Sequence, residues 1–156
     1  MTRKLTLALA LGAFLIAPMG AAAKPNINDM QGCQALIDFV DYRMAHAPKK
    51  YAKADVKAVR AGLAGYDKYI QSTIVTPGLL EFNGGDKGKA KAMQKQVDDY
   101  KATVTAAYKQ EFSQNRLYTD FALSLNDCAK KAVPAGKDLE ALKAALETML
   151  KLARQE

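Results

Sequence analysis

The sequence predicts an all-α fold, an up-down-up-down bundle of four main helices plus a C-terminal amphipathic helix, with one disulfide. Three observations support this prediction. The chain is rich in Ala, Lys, Leu and Gln, which are good helix formers. Apolar residues recur at spacings of three and four, and no stretch shows the sustained period-two alternation of a strand. The two cysteines, Cys33 and Cys128, both follow a predicted export signal, and an oxidising compartment favours their pairing.

Residues 1–23 have the three parts of a cleavable secretory signal. Arg3 and Lys4 supply the positive charge, residues 5–17 form the apolar core, and three alanines close the segment. The apolar core is shorter than the roughly 20 residues of a membrane-spanning helix. We therefore expect cleavage at the end of this segment and a single domain over residues 24–156. The location is expected to be periplasmic or secreted, through a Gram-negative type of export signal.

The charge of the mature chain excludes few classes of function by itself. Removal of the signal takes two cations from a formal net charge of +7, and the remaining acidic and basic residues are well mixed. This balance favours solubility and does not indicate nucleic-acid binding. No second apolar segment is long enough to cross a bilayer, so we expect no membrane insertion after signal removal.

The first two helices are predicted from their apolar stripes and from the residues that flank them. Asn28 is a suitable N-cap for the first helix, and Pro48 ends it. The second helix is expected over residues 54–75, with Thr76, Pro77 and Gly78 as its end. The stripe of the first helix contains Met30, Cys33, Ile37, Val40 and Met44, and that of the second contains Val56, Val59, Leu63, Tyr66, Ile70 and Ile74.

A loop is predicted over residues 76–86, and Asp86 is placed to cap the third helix. The apolar pattern then continues so far that a single helix would be about 69 Å long, which is too long for a domain of this size. We place a break near residues 113–115, whose Ser, Gln and Asn side chains favour caps and turns. The fourth helix ends before Pro134, and the last helix is expected over residues 138–154.

The predicted disulfide is consistent with this layout. Cys33 lies near the start of the first helix and Cys128 near the end of the fourth. In an up-down-up-down bundle both points fall at the same end. In chain-entropy arguments, a bridge that closes so long a loop stabilises the folded state by about 4–5 kcal/mol. The alternative, a redox pair, is less well supported because such cysteines usually form a C-x-x-C motif.

The last helix carries an apolar heptad pattern that allows two interpretations. It either packs as a fifth helix against the bundle, or it forms a homodimer or partner interface through residues 138–154. Two heptads are too short for a stable coiled coil alone. The pattern consists of Leu139, Leu142, Leu146, Met149 and Ala153.

The candidate partner-binding residues lie in the predicted loop and at the start of the third helix. Large apolar residues in a loop either pack on the core or, if exposed, form a docking patch. Lysines four apart share one helical face, which is either a solvated surface or a contact for an acidic partner. These candidates are Leu79, Leu80, Phe82, Lys87, Lys91 and Lys95.

A second basic cluster precedes and enters the second helix. It is either solvated or makes contact with an anionic surface, such as lipid headgroups, polysaccharide or an acidic protein. The cluster consists of Lys49, Lys50, Lys53, Lys57 and Arg60.

No motif for catalysis, metal binding or a cofactor emerges. His46 is the only histidine, so a His-based zinc site is excluded. Met44 and His46 point in different directions on a helix, which argues against haem ligation. The glycine-rich residues 84–89 lack the spacing, the Ser/Thr and the preceding strand of a phosphate loop. We expect no catalytic site, no metal and no cofactor.

The function most consistent with these features is that of an exported, non-enzymatic binding protein with a protein partner. An inhibitor, an immunity factor or a chaperone would act in this way, through a helix groove or the apolar loop. The alternative is a small-ligand carrier with a pocket between the helices. An enzyme is the least favoured class.

Overall fold

The computed structural model describes residues 25–113 and 118–155, and these form an all-α structure. No strand occurs in the described ranges, so the predicted fold class is confirmed. The predicted signal lies outside the described residues and stays a prediction. The helices are α1 (Ile27–Ala45), α2 (Lys53–Ile70), α3 (Thr76–Phe82), α4 (Lys87–Glu111), α5 (Tyr118–Lys131) and α6 (Lys137–Ala153).

The first helix begins two residues earlier than the sequence pattern predicted. Asn26 is the N-cap, because its side chain accepts a hydrogen bond from the backbone N–H of Asn28 at 2.9 Å. The assignment of Asn28 as the cap was therefore wrong. The earlier start brings Ile27 into the helix, where it packs against the core. Both asparagines are good caps in isolation, so packing of the intervening isoleucine decides between them.

The second predicted helix does not end at Pro77, and the loop predicted over residues 76–86 is wrong. A π-helical segment, Gln71–Val75, continues α2 directly into α3. The N–H of Thr76 bonds to the carbonyl of Gln71, five residues back. Pro77 follows in the first turn of α3, where its missing N–H costs little. The actual turn is only residues 83–86, and it contains two glycines with positive φ.

The boundaries of the remaining helices agree with the predictions. Asp86 is the N-cap of α4, and its carboxylate accepts a hydrogen bond from the N–H of Lys89 at 3.0 Å. The end of α4 at Glu111 agrees with the predicted break near residues 113–115, and residues 114 and 115 themselves lie outside the described residues. The last helix begins one residue before its predicted start, after Gly136 with φ of 57°.

The first two helices run antiparallel to each other. Gln34, in the first half of α1, donates to the carboxylate of Asp67 in the last part of α2 at 3.0 Å. Asp41, closer to the end of α1, pairs with Arg60 in the first half of α2 at 2.7 Å. Residues later in α1 thus contact residues earlier in α2, as the bundle topology requires.

The disulfide joins α1 to α5 and confirms the predicted pairing. Cys33 and Cys128 are bonded with 5.9 Å between their Cα atoms. Further along α1, the ring of Phe39 meets that of Phe121 with 5.1 Å between centroids. Because Phe121 precedes Cys128, α5 runs antiparallel to α1.

The third long helix, α4, runs parallel to α1 and shares an aromatic cluster with it. The hydroxyl of Thr105 donates to the carbonyl of Ala35 at 3.3 Å. One turn further, Phe39 packs against Tyr108 and Phe112, with ring centroids 5.7 and 6.1 Å apart. These directions confirm the up-down-up-down order.

The last helix is an integral part of the bundle. It runs antiparallel to α2, because Asp55 near the start of α2 pairs with Lys151 near the end of α6 at 2.7 Å. It also packs against α5. The apolar face of α6 is buried within the chain through Leu142, Ala145, Met149 and Leu152. This face is therefore already occupied by the protein's own helices.

Candidate binding surfaces

The three apolar residues predicted to lie in a loop belong to α3 and separate by depth. Leu79 is only 3% exposed and belongs to the core, and Leu80 is half-buried. Phe82, at the end of the helix, is 74% exposed. Leu79 and Phe82 point in directions only about 60° apart, so their different depths follow from position along the helix: Leu79 lies within α3, whereas Phe82 is its last residue, beside the turn over residues 83–86. Of these three residues, only Phe82 presents most of its side chain to solvent.

Phe82 forms a ridge between two clefts at one end of the bundle. One cleft, of about 570 Å³, lies between the start of α1, α3 and α4 and includes Tyr100. The other, of about 750 Å³, lies beside Pro77 and the turn after α5, which contains Val133. Ile27 lines both clefts. We call this surface, formed by Ile27, Pro77, Phe82, Tyr100 and Val133, the end patch.

The rim of the end patch is polar and carries few charges, which include Glu81 in the cleft beside Pro77. Asn26, Asn28 and Gln96 line one cleft. Lys131, at the margin of the other, is paired with Asp29 at 3.2 Å. An apolar centre with a polar rim is the usual anatomy of a protein-binding surface.

The predicted lysine row does not join the end patch. Lys87, Lys91 and Lys95 are all exposed on α4. Successive residues of an α-helix are rotated by about 100°, so these lysines lie on the flank that carries Asp98. Tyr100 lies on the opposite flank. The structure therefore separates the two groups of residues that the sequence placed in one candidate site.

A larger cleft, of about 990 Å³, lies between the second half of α1 and the first half of α2. Its apolar lining includes the buried residues Ile37 and Met44. Small residues, Ala45, Ala61 and Ala64, line its more exposed parts. We call this cleft the α1–α2 groove.

One end of the α1–α2 groove is basic. Lys49, Lys53 and Lys57 line it, and within the described residues no carboxylate lies within 4.0 Å of their ammonium groups. Lys50, the remaining lysine of the predicted basic cluster, instead donates to the carbonyl of Gln155. The first N–H groups of α2 also lie here and receive no side-chain cap from Ala52, and Asp55 in the first turn offsets part of their positive potential.

An ion pair crosses the middle of the groove. The guanidinium of Arg60 contacts both carboxylate oxygens of Asp41, at 2.7 and 3.1 Å. This hydrogen bond and the carboxylate charge raise the pKa of Arg60. Both side chains remain accessible to solvent, so the pair lies at the mouth of the groove. It divides the basic end from an acidic end.

The acidic end contains a half-buried carboxylate. Burial is the main cause that raises the pKa of Asp67. The charge of Lys101 and the hydrogen bond from Gln34 act in the opposite direction, whereas Asp38 raises it further. Lys101 also pairs with Asp38 at 3.4 Å. Both acids of this end are therefore held by contacts to other helices, Asp67 by Gln34 of α1 and Asp38 by Lys101 of α4.

A chain of amides connects Asp67 to the π-helical segment. The fully buried Gln34 donates to Asp67 and also to Gln71 at 3.3 Å. Gln71 in turn donates to Thr76 and Gln94 at 2.9 and 2.8 Å. Sequence reasoning missed this network because it followed apolar residues only. A signal was present in the sequence, since Gln34 follows Met30 by four residues and precedes Ile37 by three, at the spacing of the apolar stripe of α1.

The single histidine is placed for a structural role. Its ring packs on Tyr42 with 4.4 Å between centroids, and its Nδ1 lies 2.8 Å from the carbonyl of Tyr42. Lys109 lies over the same tyrosine ring, 4.2 Å from the centroid. His46 is also the C-cap residue of α1. These contacts bring no nucleophile to the imidazole.

The described residues hold no group of three or more His, Cys, Asp or Glu that could bind a metal ion. None of their helices is both long enough and apolar enough to cross a bilayer. The fold and surfaces define a disulfide-bonded α-helical bundle with two candidate binding surfaces, the end patch and the α1–α2 groove. No protein-family model, no curated protein and no solved structure matches this chain.

Proposed function

We propose that the protein is an exported, non-enzymatic binding protein whose end patch captures a protein partner. The single observation that carries this proposal is the exposure of Phe82, which leaves 74% of a large apolar residue in solvent between two apolar clefts. Burying such a side chain in a partner contributes about 1.5–3 kcal/mol. Aromatic anchors of this kind often supply most of the binding energy of an interface.

The helix that carries Phe82 is held firmly against the core, which favours a binding role for the end patch. Phe82 belongs to α3, and the buried Leu79 fixes that helix to the core. Gly78 lies so close to Ile27 that an added Cβ would be 2.8 Å from its Cδ1 atom. Because the ring is presented by an ordered helix, little conformational entropy is lost when a partner covers it.

The chemistry of the patch defines the kind of partner. Its rim combines uncharged amides, the Lys131–Asp29 pair and Glu81, so its charges are few and of both signs and offer no strong electrostatic selection. The partner surface is accordingly an apolar pocket that accepts an aromatic ring and is bordered by polar groups. Inhibitors, immunity factors and chaperones all act through contacts of this type.

The test compares two exposed apolar residues on different parts of the bundle. Phe82→Asp removes the centre of the end patch, whereas Leu123→Asp introduces the same charge at a residue of α5 that is 56% exposed. We expect Phe82→Asp to abolish capture of a saturable partner from an osmotic-shock fraction. With an isolated partner, affinity should fall about 30-fold or more.

The control variant should retain both capture and affinity, and circular dichroism should show native helix content for both variants. Equal capture by the two variants, or an equal loss, would contradict a binding role for the end patch. The second candidate function, a small-ligand carrier, is favoured by a separate feature, the α1–α2 groove.

A further inference from the structure

We infer that the α1–α2 groove binds an anionic amphiphile with a single alkyl chain, its head group at Lys49, Lys53 and Lys57. This site is distinct from the end patch, and it stands or falls independently of a protein partner. The inference rests on three properties of the groove: its shape, the unpaired charge at one end, and the ion pair across its middle.

The shape of the groove fits an extended chain. It follows the seam between two antiparallel helices, from the end of α1 and the start of α2 back toward Asp67. Buried Ile37 and Met44 contribute apolar lining, and Ala61 and Ala64 leave the sides open. Its volume of about 990 Å³ is at the upper end of the range for small-molecule sites.

The charge at the groove's basic end selects an anion. Three ammonium groups line this end, and no carboxylate among the described residues pairs with them. Arg60, by contrast, is held by both oxygens of Asp41. The lysines therefore supply the uncompensated positive charge, and a carboxylate or phosphate head would complete it.

The opposite end fixes the direction of the ligand. Asp38 and Asp67 line that end, and their carboxylates would repel an anionic head. An alkyl chain carries no charge, and it can extend past Arg60 and Asp41 along the alanines of α2. The head group is thus expected at the start of α2 and the end of the chain near Ala64.

The ion pair across the groove also argues against an acidic helix of a protein partner as the occupant. A helix with its side chains is about 10–12 Å wide. Seating it along this groove would require separation of Arg60 from Asp41, which are in contact at 2.7 Å. A single alkyl chain is narrow enough to pass beneath the pair and leave it intact.

The binding experiment uses four probes with the same twelve-carbon chain, each below its critical micelle concentration. The probes are dodecanoate, dodecyl phosphate, dodecyltrimethylammonium and dodecyl maltoside. Isothermal titration and native mass spectrometry of the exported protein should show saturable one-to-one binding of at least one anionic probe. The cationic and neutral probes should bind at least tenfold more weakly. A preference between the two anionic probes assigns the head group as a carboxylate or a phosphate.

Two pairs of variants locate the site. Lys53→Gln combined with Lys57→Gln should weaken binding of the anionic probe about tenfold. Lys87→Gln combined with Lys91→Gln makes the same charge change on α4 and should leave affinity within about twofold.

The second pair tests the chain site without any change in charge. Ala64→Phe fills the groove and should reduce binding of the anionic probes at least tenfold. Ala92→Phe adds the same side chain at an exposed position of α4 and should have no effect. Circular dichroism confirms that each variant remains folded.

Several results would overturn the inference. These are the absence of saturable binding for both anionic probes, equal binding of the cationic probe, or equal losses in the paired variants. Tighter binding of a synthetic acidic amphipathic helix, competing at the same lysines, would assign the groove to a peptide instead. Phe82→Asp should leave probe binding unchanged, which separates this result from any result on the end patch.

Discussion

The two sides of α2 differ in how closely a neighbouring helix approaches them. On the side facing α6, Gly62 lies so close that an added Cβ would be 2.6 Å from the carbonyl oxygen of Ala141 and 2.7 Å from the Cβ of Ala145. On the side facing α1, Ala61 and Ala64 border an open groove. Residues that are neighbours in sequence thus line the tightest and the most open parts of the same helix.

This contrast shows that a small side chain does not by itself determine packing. At Gly62 the missing side chain is replaced by the backbone of α6, so the helices interlock at close range. At Ala64 no helix of the described ranges takes the available space. The closed side holds the bundle together, and the open side borders the α1–α2 groove.

The largest expected effect comes from releasing the disulfide that ties α1 to α5. Replacing Cys33 and Cys128 together by alanine should lower the free energy of unfolding by about 4 kcal/mol, because the unfolded chain regains the freedom of a long closed loop. Urea denaturation of the double variant measures this change. Reduced wild-type protein provides a control and should unfold at a similar midpoint.

A loss below about 1 kcal/mol would mean that the bridge is not a main support of the bundle. Probe binding in the α1–α2 groove should persist in the folded double variant, because Cys33 lies in the first half of α1, whereas the groove follows the second half. Loss of probe binding together with the loss of stability would show that the groove depends on the disulfide.

The next largest effect on stability is expected to differ in sign between two glycines of α2. Gly62→Ala should lower the free energy of unfolding by about 1–3 kcal/mol, since the new methyl group overlaps α6. Gly65→Ala meets nothing within 4 Å and should stabilise the helix by about 0.5–1 kcal/mol. Thermal and chemical denaturation of both variants gives the comparison, and the same sign for both changes would contradict the close contact at Gly62.

A smaller effect concerns pH and the acidic end of the groove. The pKa of Asp67 is raised by burial above the ordinary 3.8, so the folded protein binds a proton more readily than the unfolded chain. Stability from this group is therefore present at low pH and declines as pH rises through the raised pKa. Asp67→Asn removes the decline, and its stability relative to wild type should increase with pH across this window.

Denaturation curves at a series of pH values provide the measurement. Asp120→Asn, at an exposed position of α5, serves as the matched control and should follow the wild-type curve. The opposite result would be a wild-type protein that gains stability relative to Asp67→Asn as pH rises. It would show that the contacts of the Asp67 carboxylate with Lys101 and Gln34 have a larger effect on its pKa than burial has.

The smallest expected effect is on the open side. Ala64→Leu adds bulk to the groove without contacting another helix, so the free energy of unfolding should change by less than about 0.5 kcal/mol. Denaturation with urea tests this expectation. A cost comparable to that of Gly62→Ala would mean that α1 and α2 are packed at this position and that the groove is closed in solution.

The helices and the disulfide could be predicted because they depend on local pattern and on compartment. Apolar spacing identified the buried faces, and Asp86 marked the start of α4. Pro77 misled the prediction because its effect depends on the turn before it, and the widened π turn removes the penalty. The amide network around Gln34 was missed because a buried polar residue has the same spacing as an apolar one but a different chemistry.

The binding surfaces were only partly visible in the sequence. Phe82 was identified as a docking candidate, but its separation from the lysines of α4 depends on which flank of that helix faces α3. The basic residues from Lys49 to Arg60 were recognised as a cluster. Their position beside an apolar groove could not be deduced, since it requires the relative placement of α1 and α2 in space.

The π-helical segment has a consequence for the surface that follows it. A π turn accommodates one more residue than an α turn, so every side chain beyond Val75 is shifted in phase by about 100° relative to an unbroken helix. With that offset, Leu79 faces the core and Phe82 is exposed at the end of α3. A one-residue deletion within Gln71–Val75 would rotate Phe82 away from its present position between the two clefts. The length of this π-helical segment therefore determines which side chains of α3 are exposed.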